Sequence, residues 1–418
     1  MKNVLAINSG SSSLKFKVIE FDESPKTAAR FTASSRYEGF IEDIGPAAKM
    51  MLRPAGKTVV QTTGTVSTHA EAVRCMMQML NESSRLDGRD LCIDAVGHRV
   101  VHGGEQFHEP VVIDDDVVAG IDRLAEWAPL HNPGSIAGIK GARTILGSHI
   151  PMVAVFDTAF HRSIPPHAAT YAMDLDLARK HGIHRYGFHG IAHASLAGIC
   201  AAAVKRPLAQ LRLITLQLGN GCSATAIDGG RSVDTSMGFT PLEGLVMGTR
   251  SGDLDPAVIG HLVRREGLSV DEVERLLNER SGLLGVSGLS GDMRELLKAA
   301  EDKPDSRAAL AVEMFCYRVR KYIGAYLAVL GGADVLVFGG GIGEHAPAVR
   351  ARICNGMDWC GLRLDPLRNK AAVGIASGEA MKISEEGAPL ACYVAGVDEE
   401  VEIARATRDC VLKSQGRS

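Results

Sequence analysis

Two segments of the sequence, half a chain apart, share one pattern of apolar and polar residues. The segment VLAINSGSSSLKFKV begins at Val4, and LITLQLGNGCSATAI begins at Leu213. Each has an apolar run, a polar residue, a glycine-containing tip and a second, alternating stretch, which is the pattern of a β-hairpin. Unless this likeness is due to chance, it predicts two related lobes, each aiming a polar hairpin tip at an active-site cleft between them.

Length and composition narrow the class of protein. The 418 residues are too many for one core of ordinary size and indicate two or three domains. The formal net charge of −3 argues against a nucleic-acid-binding or membrane-binding surface. Nine cysteines without a CxxC pair predict reduced thiols and a cytoplasmic protein. We expect neither a signal peptide nor a transmembrane span, because no apolar run is long enough.

The order of apolar patterns predicts an α/β protein. Strand-like runs such as PMVAVFD and DVLVFGG are separated by long helical patterns such as AHASLAGICAAAV and RAALAVEMFCYRVRKYIGAYLAVL. The turn FGGGIGEHAP, which begins at Phe338, follows a strand and is expected to open a helix. Together with the two hairpin tips it makes three glycine-rich turns, which suggest a nucleotide whose phosphates contact backbone N–H groups.

The familiar nucleotide motifs are not present. The sequence has no GxxxxGK[ST] P-loop, and Glu344 occupies the last glycine position of a GxGxxG fingerprint. We therefore expect the nucleotide to be held in another way. The loop GVSGLSGDMRE, with Asp292 and Arg294, is a further candidate for lining its pocket.

Three charged residues next to glycine or at strand ends are candidates for catalysis. Arg99 lies in GHRVVHGG, Asp157 in PMVAVFDTAFH and Arg250 in MGTRSGDLDP. A structural ion pair is the alternative for each of them. His189 and His193 have the i, i+4 spacing of a zinc-binding helix, but HGIAH lacks the glutamate of that motif, and we predict no zinc site.

These motifs together resemble a known family. NSGSSSLKF, GHRVVHGG, APLHNPG, FDTAFH, RYGFHG, LGNG, MGTRSGDLDP, GVSGLSGDMR and GGGIGEHA are similar, in order and spacing, to the successive signatures of the acetate kinase (acetokinase) family. The resemblance covers almost the whole chain. It implies two lobes of duplicated βββαβαβα units in the actin-like ATPase, ribonuclease H-like fold. The implied lobes are 1–161 with 400–418, and 162–399.

The resemblance also implies an activity and its cofactors. The activity is reversible, direct in-line transfer of a phosphoryl group from ATP to acetate, which gives ADP and acetyl phosphate. The implied cofactors are ATP or ADP and Mg²⁺, or Mn²⁺ in its place, and the implied assembly is a homodimer. Acetate is already ionised at neutral pH, so catalysis has to supply positioning and charge neutralisation rather than a base. Asp157 is then expected to orient an arginine or a metal-bound water.

The site residues that the resemblance implies fall into four groups. The catalytic group is Arg99, Asp157, His189, Gln217 and Arg250. The metal-binding group is Asn8 and Glu399. The nucleotide-binding group is Ser11, Ser13, Lys15, Gly219, Asn220, Gly221, Asp292, Met293, Arg294, Gly340, Gly341, Ile342, Gly343 and Glu344. The group that binds acetate is Arg99, Val101, Leu130, His131, Phe188 and Pro241.

The sequence departs from the family pattern at a few positions. Gln217 stands where most members have a histidine before LGNG, Gly339 and His345 alter the TGGIGEN turn, and VDEE replaces TNEE near the end. A glutamine amide donates a hydrogen bond to a phosphoryl oxygen but carries no positive charge. We therefore expect Gln217 to keep the contact of the family histidine without its charge.

Two other functions fit parts of the pattern. A kinase for propionate or another short carboxylate would share every phosphate-handling residue, and Val101 would then decide the acyl chain length. A nucleotide-gated binding protein of the actin or chaperone kind would use the same fold without a carboxylate substrate. Turnover of ATP with and without acetate separates these readings.

Overall fold

The computed structural model describes residues 1–418 apart from 11, 22–32, 56–58, 89, 129–131, 305 and 417–418. The chain divides into two compact units, which we call unit 1 (Met1–Ala159 with Asp398–Ser418) and unit 2 (Phe160–Val397). The chain returns to unit 1 two residues before the expected 399/400, because the last helix begins at Glu399 and its cap, Asp398, pairs with Lys17 of unit 1. Glu399 therefore belongs to unit 1.

The elements are numbered in chain order. The strands are β1 (Asn3–Ser9), β2 (Leu14–Phe21), β3 (Ala33–Glu42), β4 (Gly45–Pro54), β5 (Val60–Val66), β6 (Ala95–Val100), β7 (Val111–Val112), β8 (Met152–Phe156), β9 (Arg212–Leu218), β10 (Cys222–Asp228), β11 (Arg231–Thr235), β12 (Val335–Gly339), β13 (Ala380–Lys382) and β14 (Ala391–Ala395). The helices are α1 (His69–Leu86), α2 (Asp115–Arg123), α3 (Asn132–Leu146), α4 (Pro166–Ala169), α5 (Leu175–Lys180), α6 (Gly190–Val204), α7 (Ala257–Glu266), α8 (Val270–Glu279), α9 (Gly282–Ser287), α10 (Met293–Asp302), α11 (Arg307–Leu330), α12 (Gly340–His345), α13 (Pro347–Cys354), α14 (Pro366–Ala371) and α15 (Glu399–Ser414).

The two units repeat one sheet topology. In the described part of the chain, the sheet of unit 1 has the order β5-β4-β3-β2-β1-β6-β8-β7, and that of unit 2 has the order β11-β10-β9-β12-β14-β13. In each, three strands run parallel in the middle, a three-strand antiparallel meander lies on one side, and a short antiparallel strand closes the other edge. Strands β4 and β5 are an addition of unit 1. The predicted α/β class and the duplication are confirmed.

The register of the sheets aligns the first strands of the two hairpins residue by residue. Val4 pairs with Ala95 at the start of β1 and β6, and Leu213 pairs with Val335 at the start of β9 and β12. Counting from these starts brings Asn8 of β1 and Gln217 of β9 to the same step, as the sequence comparison predicts.

Burial on both faces explains why strands β8 and β12 are apolar throughout. Every residue of β8 and β12 is buried, as expected for parallel strands that are covered by helices on both sides. Helix α15 packs on β1, β6 and β8, and it approaches so closely that a Cβ at Gly97 would overlap the Thr407 side chain. Helix α6 packs on β9, β12 and β14.

Several local predictions are confirmed. The two quoted helical patterns lie in α6 and α11, and FGGGIGEHAP contains the end of β12 and the whole of α12. The nine cysteines are free thiols. Within the described ranges, no helix is both long and apolar enough to cross a membrane.

Candidate active site

In unit 1, the carboxyl ends of three parallel strands bring Asn8, Arg99 and Asp157 together. Asn8 and Arg99 are the last or next-to-last polar residues of β1 and β6, and Asp157 directly follows β8. Nε of Arg99 donates to Oδ2 of Asp157 at 3.0 Å, and Nη1 donates to Oδ1 of Asn8 at 3.0 Å. Asp157 is only 1% exposed. The guanidinium therefore holds a buried carboxylate and an amide in fixed positions.

Two glutamates from the first turn of α15 complete this cluster. Nδ2 of Asn8 donates to Oε2 of Glu399 at 3.4 Å and to Oε1 of Glu400 at 3.3 Å. Glu399 also lies 3.9 Å from Nε of Arg99. Burial raises the pKa of Glu399 to about 7; Asp157 and Glu400 add to this rise, while Arg99 opposes it. Three carboxylates thus face one guanidinium, so the cluster has an excess of negative charge.

The pKa of Arg99 shows which charges dominate around it. Burial opposes the charged form, but Asp157 and then Glu399 outweigh it, and the pKa is raised above its ordinary value. The side chain is therefore a permanent cation. An arginine with this many anionic neighbours is suited to hold a further anion only when a second cation offsets them.

The donor set of this cluster fits a hard divalent cation. Its oxygens come from carboxylates and one amide, which are the ligands that Mg²⁺ prefers. In the described parts of the chain there is no group of three or more His, Cys, Asp or Glu side chains arranged to hold a metal by themselves. Mg²⁺ is usually bound in proteins by one or two carboxylates and completes its shell with water and substrate phosphates.

The first hairpin carries the predicted nucleotide-binding residues of unit 1, at its tip and at the start of β2. Lys15 is exposed and pairs with Asn8 across β1 and β2, and its charge lowers the pKa of Glu399 slightly against the other effects. The backbone N–H of Gly10 donates to the carbonyl of Ser13 at 2.8 Å and closes the turn. Ser11 lies outside the described residues.

In unit 2, the tip of the second hairpin lies between a histidine and an arginine. A Cβ at Gly221 would lie 3.4 Å from Nε2 of His189 and 3.8 Å from Nη1 of Arg250. His189 has a φ of 57°, a left-handed conformation that costs energy in a residue other than glycine. Nη1 of Arg250 donates to the carbonyl of Pro241 at 3.3 Å. The left-handed backbone of His189 and the approach of two side chains to one glycine make this tip a candidate functional position.

Gln217 is the next-to-last residue of β9, just before that tip. Its Oε1 is buried and, among the described residues, has no hydrogen-bond partner. A Cβ at Gly339, the next residue across the sheet, would lie 3.3 Å from this oxygen. A buried polar atom without a partner costs free energy, which natural proteins tolerate mainly where a ligand or water completes the site.

A cavity of about 490 Å³ in unit 2 is lined by seven of the fourteen predicted nucleotide-binding residues. This volume is within the range of small-molecule sites. It is lined by the hairpin tip, the start of α10 and the glycine-rich turn of α12; the residues are Gly219, Asn220, Gly291, Asp292, Met293, Arg294, Gly341, Ile342, His345 and Ala346. Sequence reasoning did not select Gly291, His345 and Ala346, although all three lie in motifs that it quoted.

The other predicted nucleotide residues of unit 2 lie outside the lining of this cavity. Gly221, Gly340, Gly343 and Glu344 are not among its walls. Oε1 of Glu344 accepts from the backbone N–H of Gly340 at 3.1 Å and from that of Val397 at 3.5 Å. Gly340 has a φ of 74°, and a Cβ there would crowd the Leu218 backbone, so glycine is required at the turn.

Asp292 and Arg294 form one pair at the mouth of the cavity. Asp292 caps α10 by accepting from the N–H of Arg294 at 2.8 Å, and it also accepts from the Arg294 guanidinium. The hydrogen bond from Arg294 is the main reason why the pKa of Asp292 is lowered. The Arg294 side chain is 89% exposed, so it is accessible to a ligand in the cavity.

The predicted acetate pocket is described only in part. Val101 is 3% exposed and lies in unit 1, directly after β6. Phe188 and Pro241 lie in unit 2, where the Phe188 carbonyl is 2.9 Å from Nε2 of His161. Leu130 and His131 fall outside the described residues.

A profile of the Acetokinase family matches residues 3–405. The chain belongs to the acetokinase family. It is 49% identical over 413 residues to an acetate kinase of Solibacter usitatus, with 98% of each chain covered, and 47% identical to one of Leifsonia xyli subsp. xyli, over 98% of this chain and 99% of that one. The prediction that the chain is a kinase of this family is confirmed.

Solved structures agree with the family assignment. A crystal structure of Porphyromonas gingivalis acetate kinase is 37% identical, with a TM-score of 0.87 over 98% of this chain and all of that one. A propionate kinase from Francisella tularensis subsp. tularensis is also 37% identical, with a TM-score of 0.86 and the same coverage. The fold class is thereby confirmed at the level of the whole chain.

Proposed function

We propose that this chain catalyses the reversible transfer of a phosphoryl group between ATP and acetate. The activity is that of an acetate kinase, an enzyme that phosphorylates a carboxylate, with ATP or ADP and a divalent cation as its cofactors. The observation that carries the proposal is the match to the Acetokinase family over residues 3–405. The structure adds a cavity of small-molecule size with glycine-rich walls and a cluster of carboxylates around a partly buried arginine.

In our proposal, Asn8 and Glu399 hold Mg²⁺, and Glu400 supports them from the same turn of α15. The support for this assignment is the geometry of the cluster, in which the Asn8 amide contacts the carboxylates of both Glu399 and Glu400. When bound, the cation supplies charge neutralisation for the phosphate oxygens. Asp157 orients the Arg99 guanidinium through the hydrogen bond between them, and Arg99 binds the acetate carboxylate. Asp157 does not act as a base, because acetate is already an anion and has no proton to remove.

Unit 2 supplies the nucleotide site and a second set of donors in our proposal. The cavity at Gly219 and Asn220 takes ATP, and the residues Asp292, Met293 and Arg294 border the base and sugar. Ser13 and Lys15 of unit 1 contact phosphate oxygens. Arg250, His189 and Gln217 surround the hairpin tip and donate to the transferring phosphoryl group. Preorganised donors of this kind stabilise the charge of the equatorial oxygens without reorganisation during the reaction.

The direct test measures acyl phosphate trapped as a hydroxamate from Mg²⁺-ATP and acetate. We expect acetyl phosphate to form only when acetate and a divalent cation are both present. ATP hydrolysis that does not need a carboxylate, with no acyl phosphate, would favour the nucleotide-gated binding protein instead. Arg363→Gln is a suitable control variant, because Arg363 forms an exposed ion pair with Glu385.

A propionate kinase is the second candidate, because one solved relative has that name at equal identity. We propose that Val101 limits the acyl chain. One methylene in an apolar pocket is worth roughly 1–3 kcal/mol, so propionate should react less well than acetate but measurably. Val101→Ala should narrow the acetate-to-propionate ratio of kcat/KM. An unchanged ratio would exclude Val101 from the pocket, and a wild-type preference for propionate would favour the second candidate.

We also propose a cytoplasmic homodimer. The nine free thiols are consistent with a reducing compartment. Unit 2 exposes several large apolar side chains that are candidates for a subunit contact; they are Leu310, Tyr317, Trp359 and Leu367. Sedimentation at micromolar concentration tests this, and a monomer of 44.4 kDa would contradict it.

A further inference from the structure

Behind His189, a row of buried polar side chains crosses the sheet of unit 2. Nδ1 of His189 lies 2.8 Å from the Ser223 hydroxyl, and Nε2 of His193 lies 2.7 Å from the same hydroxyl. Nδ1 of His193 lies 2.7 Å from the Thr215 hydroxyl, which donates to the carbonyl of Thr225 at 3.5 Å. Ser223, His193 and Thr215 are all buried. The row therefore joins His189 at the hairpin tip to the backbone of β10.

The burial of His193 keeps its imidazole neutral, and this sets the number of protons that the row can donate. Burial holds the pKa of His193 well below its ordinary value, and His161 and His189 lower it further. His193 is therefore neutral and has one N–H. Each hydroxyl has one proton to donate, so the direction of one hydrogen bond determines the direction of the next.

Only one direction satisfies all four contacts. The backbone carbonyl of Thr225 can only accept, so the Thr215 proton points to it, and the Thr215 oxygen accepts from Nδ1 of His193. Nε2 of His193 is then bare and accepts the proton of Ser223. The Ser223 oxygen must therefore accept from His189, which requires a proton on Nδ1 of His189. In the opposite direction, the contact between Thr215 and the Thr225 carbonyl is lost.

We propose that Ser223, His193 and Thr215 act as a row of positioning residues that fixes the proton of His189 on Nδ1. Nε2, on the edge of the ring that lies near Gly221 and Arg250, is then the nitrogen whose protonation decides whether His189 accepts or donates a hydrogen bond. The row also orients the ring of a residue with strained backbone, for which φ is 57°. Its use in phosphoryl transfer rests on the proposed function; its effect on the tautomer does not.

The test that does not depend on activity is a spectrum of the full-length protein labelled with ¹⁵N-histidine. Long-range ¹H–¹⁵N correlations distinguish a protonated from a bare ring nitrogen, and the spectrum of His189→Gln assigns the signals of His189. We expect a protonated Nδ1 in the wild type at every pH where the fold persists. A neutral His189 with its proton on Nε2 and a bare Nδ1 would overturn the proposal, whether or not the protein forms acetyl phosphate.

The kinetic test removes one hydroxyl of the row. Thr215→Val should lower kcat about 10-fold, which is the lower end of the range of losses when a residue that orients a functional group is removed. The KM values for ATP and for acetate should both stay within about twofold of the wild type. Thr215→Ser should restore the rate. Thr225→Val is the matched control, because its buried hydroxyl bonds Thr235 and lies outside the row. Equal rates in wild type and Thr215→Val, or an equal loss in Thr225→Val, would overturn the proposal. Failure of the wild type to make acyl phosphate would instead count against the proposed function alone.

Discussion

Units 1 and 2 share one sheet topology but differ at equivalent strand ends. By topology and register, the end of β6 in unit 1 is equivalent to the end of β12 in unit 2, and the end of β8 is equivalent to that of β14. Where unit 1 has Arg99, unit 2 has Gly339; where unit 1 has Asp157, unit 2 has Val397. The same fold therefore presents charged side chains in one unit and backbone in the other. The difference agrees with the roles that we propose for the two units, since a metal and a carboxylate need charge, whereas a nucleotide needs space and N–H groups.

Asn8 and Gln217, which occupy equivalent steps of the two hairpins, also differ between the units. Asn8 is held by Arg99 and the glutamates of α15, while Oε1 of Gln217 is buried without a partner among the described residues. One amide is part of a preformed cluster, whereas the oxygen of the other makes no hydrogen bond to the described residues. Substitutions in the two units should therefore affect different steps.

The largest effect is expected in unit 1, for Arg99→Gln. Loss of the guanidinium leaves the buried Asp157 carboxylate without its partner and removes a donor to the reacting groups. We expect kcat/KM for acetate to fall by about 10²–10³-fold, as for removal of one donor that stabilises a transition state. Steady-state kinetics measure this, with Arg363→Gln as the control. A loss below about threefold would show that Arg99 is only a structural ion-pair residue.

An intermediate effect is expected in unit 2, for Gly341→Val. A Cβ at Gly341 meets nothing within 4 Å, so the fold should tolerate it, but the residue lines the cavity of α12. We expect KM for ATP to rise about 10-fold with KM for acetate unchanged, because lost complementarity in a binding pocket costs about 1–2 kcal/mol. Gly324→Ala is the control, since it also has open space but lies in α11, away from the cavity. Equal effects on both KM values would contradict the division between the units.

The smallest effect is expected for Gln217. An amide keeps the hydrogen bond to a phosphoryl oxygen but not the charge of an imidazolium. Gln217→His should therefore raise kcat by a few-fold at most, mainly below about pH 6.5, the ordinary pKa of histidine, with little change in KM for acetate. Gln217→Ala should lower kcat. If Gln217→Ala has the wild-type rate over the whole pH range, Gln217 does not contact the transferring group.

Sequence patterns were sufficient for the features that depend on local order. The offset between the hairpins predicted the shared topology, and the end of an apolar strand identified Arg99 and Asp157, which the structure joins by hydrogen bonds. Helix α15 illustrates the limit, because it follows β14 in the chain but packs on β1 and β6. Its first turn brings Glu400 to Asn8, across 392 residues, which no local pattern reveals.

The row behind His189 was missed for a related reason. Thr215 and Ser223 are ordinary strand residues, and only the pairing of β9 with β10 places them on one side of His193. The spacing between His189 and His193 is typical of a zinc-binding helix, and it does not indicate a contact with hydroxyl groups. Whether buried hydroxyls form a continuous row depends on sheet register, which the sequence of one strand does not contain.

Binding of ADP without metal tests the division between the units most directly. Calorimetry in the presence of a chelator measures the nucleotide site alone, without turnover and without the carboxylate cluster of unit 1. We predict that Arg99→Gln binds ADP within about twofold of the wild type, whereas Gly341→Val binds it about 10-fold more weakly, a difference of about 1.4 kcal/mol. Equal weakening by both substitutions, or weakening by Arg99→Gln alone, would contradict the account.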